Sequence, residues 1–137
     1  MKKDLKTITI LFRATRTLED IIKREVDSYG ISLSEFMVME ALFHKGTLSV
    51  NEVLAKILIP NSSMSYVIDQ LLTKGLIEKN RDFDDHRIYR LNLTEAGTTF
   101  MKKIYPRHQR ALRLILDKLS LDEEMLLQES LKKIGKR

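Results

Sequence analysis

Residues 46–97, GTLSVNEVLAKILIPNSSMSYVIDQLLTKGLIEKNRDFDDHRIYRLNLTEAG, decide the fold of this chain. Ser49 and Glu52 stand three apart, a spacing at which serine and glutamate satisfy each other's orphan backbone N–H groups and start a helix. Val50, Val53, Leu54 and Ile57 then repeat at helical spacing. Leu58-Ile59-Pro60 ends that helix, because proline disfavours the α conformation in the residue before it and has no N–H to donate. A second helix follows directly, with Asn61 or Ser62 as its cap. In it Met64, Val67, Ile68, Leu71 and Leu72 recur at i, i+3, i+4, i+7 and i+8, so they face a core. Lys74 and Gly75 close it, glycine being the usual residue at a left-handed cap.

From Leu76 the period changes. Leu76–Arg81 and Arg87–Leu93 read as two short strands, with Tyr89, Leu91 and Leu93 on one face. Between them Asp82-Phe83-Asp84-Asp85-His86 is polar and lacks glycine, so it forms a hairpin loop longer than the two-residue primed turns. Helix, connector, helix and hairpin in this order describe a winged helix-turn-helix, mainly α with a small β-hairpin wing. The outer face of the second helix carries Ser62, Ser63, Ser65, Tyr66, Asp69, Gln70 and Thr73, side chains able to hydrogen-bond base edges and phosphate oxygens when a helix lies in a major groove.

Three motifs occur in order at these positions: Gly75-Leu76-Ile77-Glu78-Lys79, then Asp85-His86-Arg87, then Leu93-Thr94-Glu95-Ala96-Gly97. Together they resemble the MarR family of bacterial transcriptional regulators, whose pattern is Gly-Leu-(Val/Ile) entering the wing, Asp-x-Arg within it and Leu-Thr-x-x-Gly opening the next helix. Met64–Leu71 also resembles that family's recognition helix, and the resemblance extends over nearly the whole chain. Two positions depart from it: Tyr66 stands where the family often has a basic residue, and His86 where it often has arginine. The resemblance implies a homodimer joined through its N- and C-terminal helices. It also implies operator binding, in the sense of a repressor, and release by a small phenolic, aromatic or lipophilic effector lodged between the dimer helices and the head.

The 137 residues suit one domain with a sizeable core, and 43% hydrophobic with 31% charged is ordinary for a helical globular protein. The absence of cysteine excludes a disulfide framework and a thiol switch. Met1-Lys2-Lys3-Asp4-Leu5 is followed by no apolar signal core, so a cytoplasmic location is expected. The net charge of +5 fits a nucleic-acid partner, but its distribution matters more. Residues 1–44 and 45–97 each carry seven basic and seven acidic side chains, whereas 98–137 carry ten against five. The surplus lies outside the reading head, so charge permits a DNA partner without arguing for one.

Residues 5–28 read as a first helix with Leu5, Ile8, Leu11, Phe12, Leu18, Ile21, Ile22 and Val26 near helical spacing. Ser34 is a possible cap for the next helix, which carries Phe36 to Phe43 and ends at Gly46. Thr94 caps a long helix towards Lys118, in which Pro106 predicts a kink near Lys102–Tyr105 or a short break. Ser120 and Glu123 form a second capping box ahead of Met125, Leu126, Leu127, Leu131 and Ile134. The terminal helices carry more apolar surface than a small head can cover, and a second copy of the chain would cover it. The expected division is 5–33 and 98–137 for dimerisation and 34–97 for the winged head, one domain in all. Two recognition helices about one helical turn apart, roughly 34–36 Å, would read a pseudo-palindrome.

Within the head, Ser62 and Ser63 suit phosphates, and Ser65, Tyr66 and Gln70 suit base edges, glutamine matching adenine. Lys74 adds a cation. Arg87, with His86 as second choice, suits a narrow minor groove, although Arg87 could instead simply pair with Asp85 to hold the hairpin. An alternative is a winged-helix module that binds a protein and not DNA, favoured by the uncharged recognition face. A metal-responsive regulator is a further alternative, since Glu40 and His44 lie at i, i+4 and His86 and His108 are also present. Without cysteine or a second close histidine pair, no metal or other cofactor is expected. No nucleophile elbow, phosphate-binding glycine loop or triad is present, so the chain does not read as an enzyme.

Overall fold

The computed structural model describes residues 3–57 and 63–136. Helix α1 spans Lys6–Asp27 and α2 spans Leu33–Lys45. The cap of α2 is Ser32, two residues before the expected Ser34. Glu35 decides this. Its backbone N–H donates to Ser32 Oγ at 3.1 Å, and its carboxylate accepts the Ser32 N–H at 2.9 Å. Ser34 has Met37 three residues on, which cannot reciprocate. Gly46 ends α2 at φ 78°.

Strand β1 is short, Leu48–Ser49, and leads into α3, Val50–Lys56, whose predicted Ser49–Glu52 capping box is present with both bonds. Ile57 is already extended. Leu58, Ile59, Pro60, Asn61 and Ser62, to which the helix stop and the next cap were assigned, lie outside the described residues. Helix α4 spans Met64–Thr73 with Ser63 at the cap position, where its side chain makes no capping bond. Strands β2, Ile77–Arg81, and β3, Tyr89–Leu93, pair antiparallel from Ile77↔Leu93 to Arg81↔Tyr89. β1 pairs with the other edge of β3, Leu48 opposite Leu91, so the sheet order is β1-β3-β2.

Helix α5 spans Glu95–Leu116 and is continuous through Pro106, so of the kink or short break expected there the break is absent. Pro106 removes one backbone donor, but Met101, Ile104 and His108 are buried on either side of it, so packing holds both halves in one helix. Helix α6, Leu121–Gly135, starts at the Ser120–Glu123 capping box. The core gathers Val26 of α1, Phe36, Val38, Met39 and Leu42 of α2, Val53 of α3, Val67, Ile68 and Leu71 of α4, Leu91 of β3, and Met101 and Ile104 of α5. Among the described residues no helix is long and apolar enough to cross a membrane.

Glycine inside a helix is unfavourable relative to alanine, so Gly97 in the first turn of α5 needs a reason. A Cβ built there would lie 2.0 Å from the carbonyl oxygen of Leu76. Two backbone segments touch, and neither can swing aside as a side chain would. Gly97→Ala should therefore destabilise the fold by about 2 kcal/mol or more, read as a lower urea midpoint at unchanged slope.

Candidate nucleic-acid interface

Helix α4 has two unlike faces. Val67, Ile68 and Leu71 are buried, with Met64 and Leu72 partly so. Ser63, Ser65, Asp69 and Thr73 are exposed, Tyr66 is 64% exposed, and Gln70 is half-buried. Thr73 Oγ1 donates to the Asp69 carbonyl at 2.9 Å, which turns that hydroxyl back onto its own helix. Ser63, Ser65 and Tyr66 are thus open to solvent with Gln70 half-buried on the same polar side, while Ser62 lies outside the described residues.

The wing is ordered by its carboxylates. Asp85 accepts the Arg87 backbone N–H, Nε and Nη2, each at 3.0 Å. These bonds hold the Asp85 carboxyl below its usual value and push the Arg87 guanidinium up. The Arg87 side chain is nevertheless 90% exposed, so one residue both pins the turn and projects from it. Asp82 accepts Arg90 Nε and the N–H groups of Asp84 and Asp85, and Arg90 also lies 3.6 Å from Glu52 of α3. His86 is exposed beside Arg87. Lys79 sits 4.6 Å above the Tyr89 ring centroid and Arg81 5.6 Å from it, with Arg81 Nε donating to the Tyr89 hydroxyl at 3.2 Å. The Lys79–Tyr89–Arg81 stack was not anticipated from the strand pattern, although the antiparallel pairing of Arg81 with Tyr89 produces it.

Lys74, expected as a cation of the interface, also has a partner within the chain. Its ammonium lies 2.7 and 3.0 Å from the two oxygens of Glu35, a carboxylate of a residue only 6% exposed. The buried charge needs a partner, so Lys74 is committed to joining α4 to α2. Burial raises the Glu35 pKa, and the bonds from Lys74 and Ser32 outweigh it, leaving the carboxyl below its usual value.

His44 and His108 have partners within the chain. His44 Nε2 lies 2.9 Å from the Tyr105 hydroxyl. His108, 4% exposed, stacks obliquely on Phe36 at 4.5 Å and places Nδ1 2.8 Å from Glu25 Oε2 and Nε2 4.0 Å from Glu40. Tyr29 donates to the other oxygen of Glu25, and its own pKa is pushed up to about 12 by burial first and by Glu25 second. Among the described residues no three His, Asp or Glu side chains are arranged to hold a metal ion.

A polar helix face beside a two-stranded wing with an outward arginine, on a core of packed helices, defines a winged helix-turn-helix protein of the DNA-reading type. The MarR family model matches residues 31–89. The HTH-type transcriptional regulator MhqR of Bacillus subtilis is 31% identical over 134 residues, covering 98% of this chain and 92% of that protein. This chain belongs to the MarR family of transcriptional regulators, which are not enzymes. The fold is shared with Bordetella bronchiseptica BpsR, solved in a study of its DNA binding and 6-hydroxynicotinic acid, at TM-score 0.81, 21% identity and coverage of 94% and 92% of the two chains. It is also shared with the S. aureus MepR–DNA complex, at TM-score 0.79, 18% identity and coverage of 92% and 94%.

Lys74→Ala should cost about 1–2 kcal/mol at neutral pH, discounted for the partly exposed ammonium. Because the Glu35 pKa is lowered by folding, the pair stabilises fully above the ordinary glutamate range and fades as pH falls through the lowered value. Denaturation at a series of pH values should show the gap between the unaltered and Lys74→Ala proteins closing in acid.

Proposed function

We propose that this chain is a homodimeric, sequence-specific operator-binding regulator, acting as a repressor in the cytoplasm and released by a small phenolic, aromatic or lipophilic effector. The observation that carries this reading is the polar side of α4, with Ser63, Ser65 and Tyr66 exposed and Gln70 half-buried, on a helix whose opposite face is core, next to a wing that projects Arg87. Ser65, Tyr66 and Gln70 reach base edges in the major groove, Ser62 and Ser63 hold phosphates, Lys74 adds a cation, and Arg87 with His86 enters the adjoining minor groove. Lys79 and Arg81, steadied on Tyr89, add backbone cations.

The proposed dimer uses residues 5–33 and 98–137, leaving 34–97 as the head. In the single chain Ile8, Ile10 and Phe12 of α1 and Leu121, Met125, Leu126 and Ile134 of α6 are exposed, an apolar surface that a two-fold partner would bury. The effector class rests on the fold shared with BpsR, for which 6-hydroxynicotinic acid is named. A protein-docking module without DNA remains the second reading, favoured by a recognition face that offers Asp69 and no cation.

Selection of bound duplexes from a random pool, followed by titration of the winner at several salt concentrations, separates the two. Enrichment of a pseudo-palindrome with a steep salt slope supports the operator reading, since counterion release belongs to phosphate binding; no enrichment at any salt supports the protein partner. Arg87→Ala should weaken operator binding by at least about 1 kcal/mol and leave the dimer folded. Substituting Tyr66 or Gln70 should change which duplexes are enriched more than it changes non-specific affinity, and an unaltered preference in both variants would remove them as reading residues.

A further inference from the structure

The wing ends in an aromatic ring that nothing in the chain covers: Phe83 is 93% exposed. Its backbone is tied down nonetheless. The Asp82 N–H donates to the Ile88 carbonyl at 2.8 Å, the Ile88 N–H donates to the Asp85 carbonyl at 3.0 Å, and Asp82 Oδ2 accepts the backbone N–H groups of Asp84 and Asp85 within the turn. The ring is therefore presented by a turn already ordered in the fold, so docking it loses little further backbone freedom. The surrounding carboxylates are largely compensated. Asp82 is held by Arg90 and Asp85 by Arg87, and among the described residues Asp84 alone of the three has no side-chain partner.

We propose that Phe83 enters the DNA minor groove beside Arg87 and packs on its deoxyribose walls, so that the wing carries both an arginine and an apolar ring into the groove. This rests on the operator reading above. A lone ring among Asp82, Asp84, Asp85 and His86 is a poor protein-docking patch, which needs contiguous apolar surface. It suits a narrow groove lined by sugar C–H groups, where apolar side chains on minor-groove-binding elements insert. The ring responds to groove width, whereas Arg87 responds to groove potential.

Phe83→Ala, Phe83→Leu and Arg87→Ala should be compared on the selected operator by affinity, salt slope and hydroxyl-radical footprint, with thermal melting as the check on folding. Phe83→Ala should weaken binding about fivefold or more, as loss of an aromatic contact to nucleic acid does, and unprotect the sugars flanking each half-site. Its salt slope should stay unchanged, because an apolar contact releases no counterions, while Arg87→Ala lowers the slope by about one. Phe83→Leu should recover most of the affinity. If the unaltered protein binds selectively and Phe83→Ala matches it in affinity and footprint, the inference is overturned alone. If the unaltered protein selects no duplex, the operator reading falls and this inference falls with it.

Discussion

The head depends on a close approach that only glycine permits, between Gly97 at the start of α5 and the carbonyl of Leu76 at the start of the wing. Thr94 completes the joint. Its backbone N–H donates to the same Leu76 carbonyl at 3.1 Å, its hydroxyl donates to the Gly75 carbonyl at 2.7 Å, and that hydroxyl accepts the Gly97 N–H at 3.0 Å. Gly75, at φ 71°, turns the chain out of α4 immediately before this point. The end of α4, the base of the hairpin and the start of α5 therefore meet within a few residues. The Gly-Leu and Leu-Thr-x-x-Gly motifs, 18 positions apart in the chain, are the two halves of one contact.

Around this joint, ion pairs set the angles of the elements that matter for reading. Glu35 and Lys74 fasten the C-terminal end of α4 to the N-terminal end of α2. Arg90 reaches Asp82 in the hairpin and Glu52 in α3, so the wing is braced against the helix that precedes the recognition helix. Three cations of the head, Lys74, Arg87 and Arg90, are thus engaged by carboxylates within it.

The outer helices follow a different rule. α5 is anchored to the core by Met101 and Ile104 and joined to α1 by the buried His108–Glu25 pair, a polar contact in which the remaining carboxylate oxygen is satisfied by Tyr29. α6 is tied back by Arg113, which bonds both Asp117 and Glu124. Beyond these ties, Leu5 at the cap of α1, Ile8, Ile10 and Phe12 of its first turns, and Leu121, Met125, Leu126 and Ile134 of α6 are exposed. The buried polar groups, by contrast, are satisfied, with no buried side-chain nitrogen or oxygen unpaired among the described residues.

Much of the architecture was legible because it is local. Helical spacing at Met64, Val67, Ile68 and Leu71, the capping boxes at Ser49 and Ser120, the Thr94 cap and the change of period at Leu76 all act over a few residues, and the amino-acid sequence by itself determined the order and type of the elements. The Ser32 cap was also readable, since Glu35 stands three residues on, but Ser34 competes at the same helix start and spacing to glutamate was the deciding detail. Which distant groups meet is a different matter. Lys74 finds Glu35 across 39 positions and His108 finds Glu25 across 83. Only the tertiary structure decided those partners, the unbroken course of α5 through Pro106 and the exposure of Phe83, because pairing, helix continuity and burial depend on what packing brings alongside.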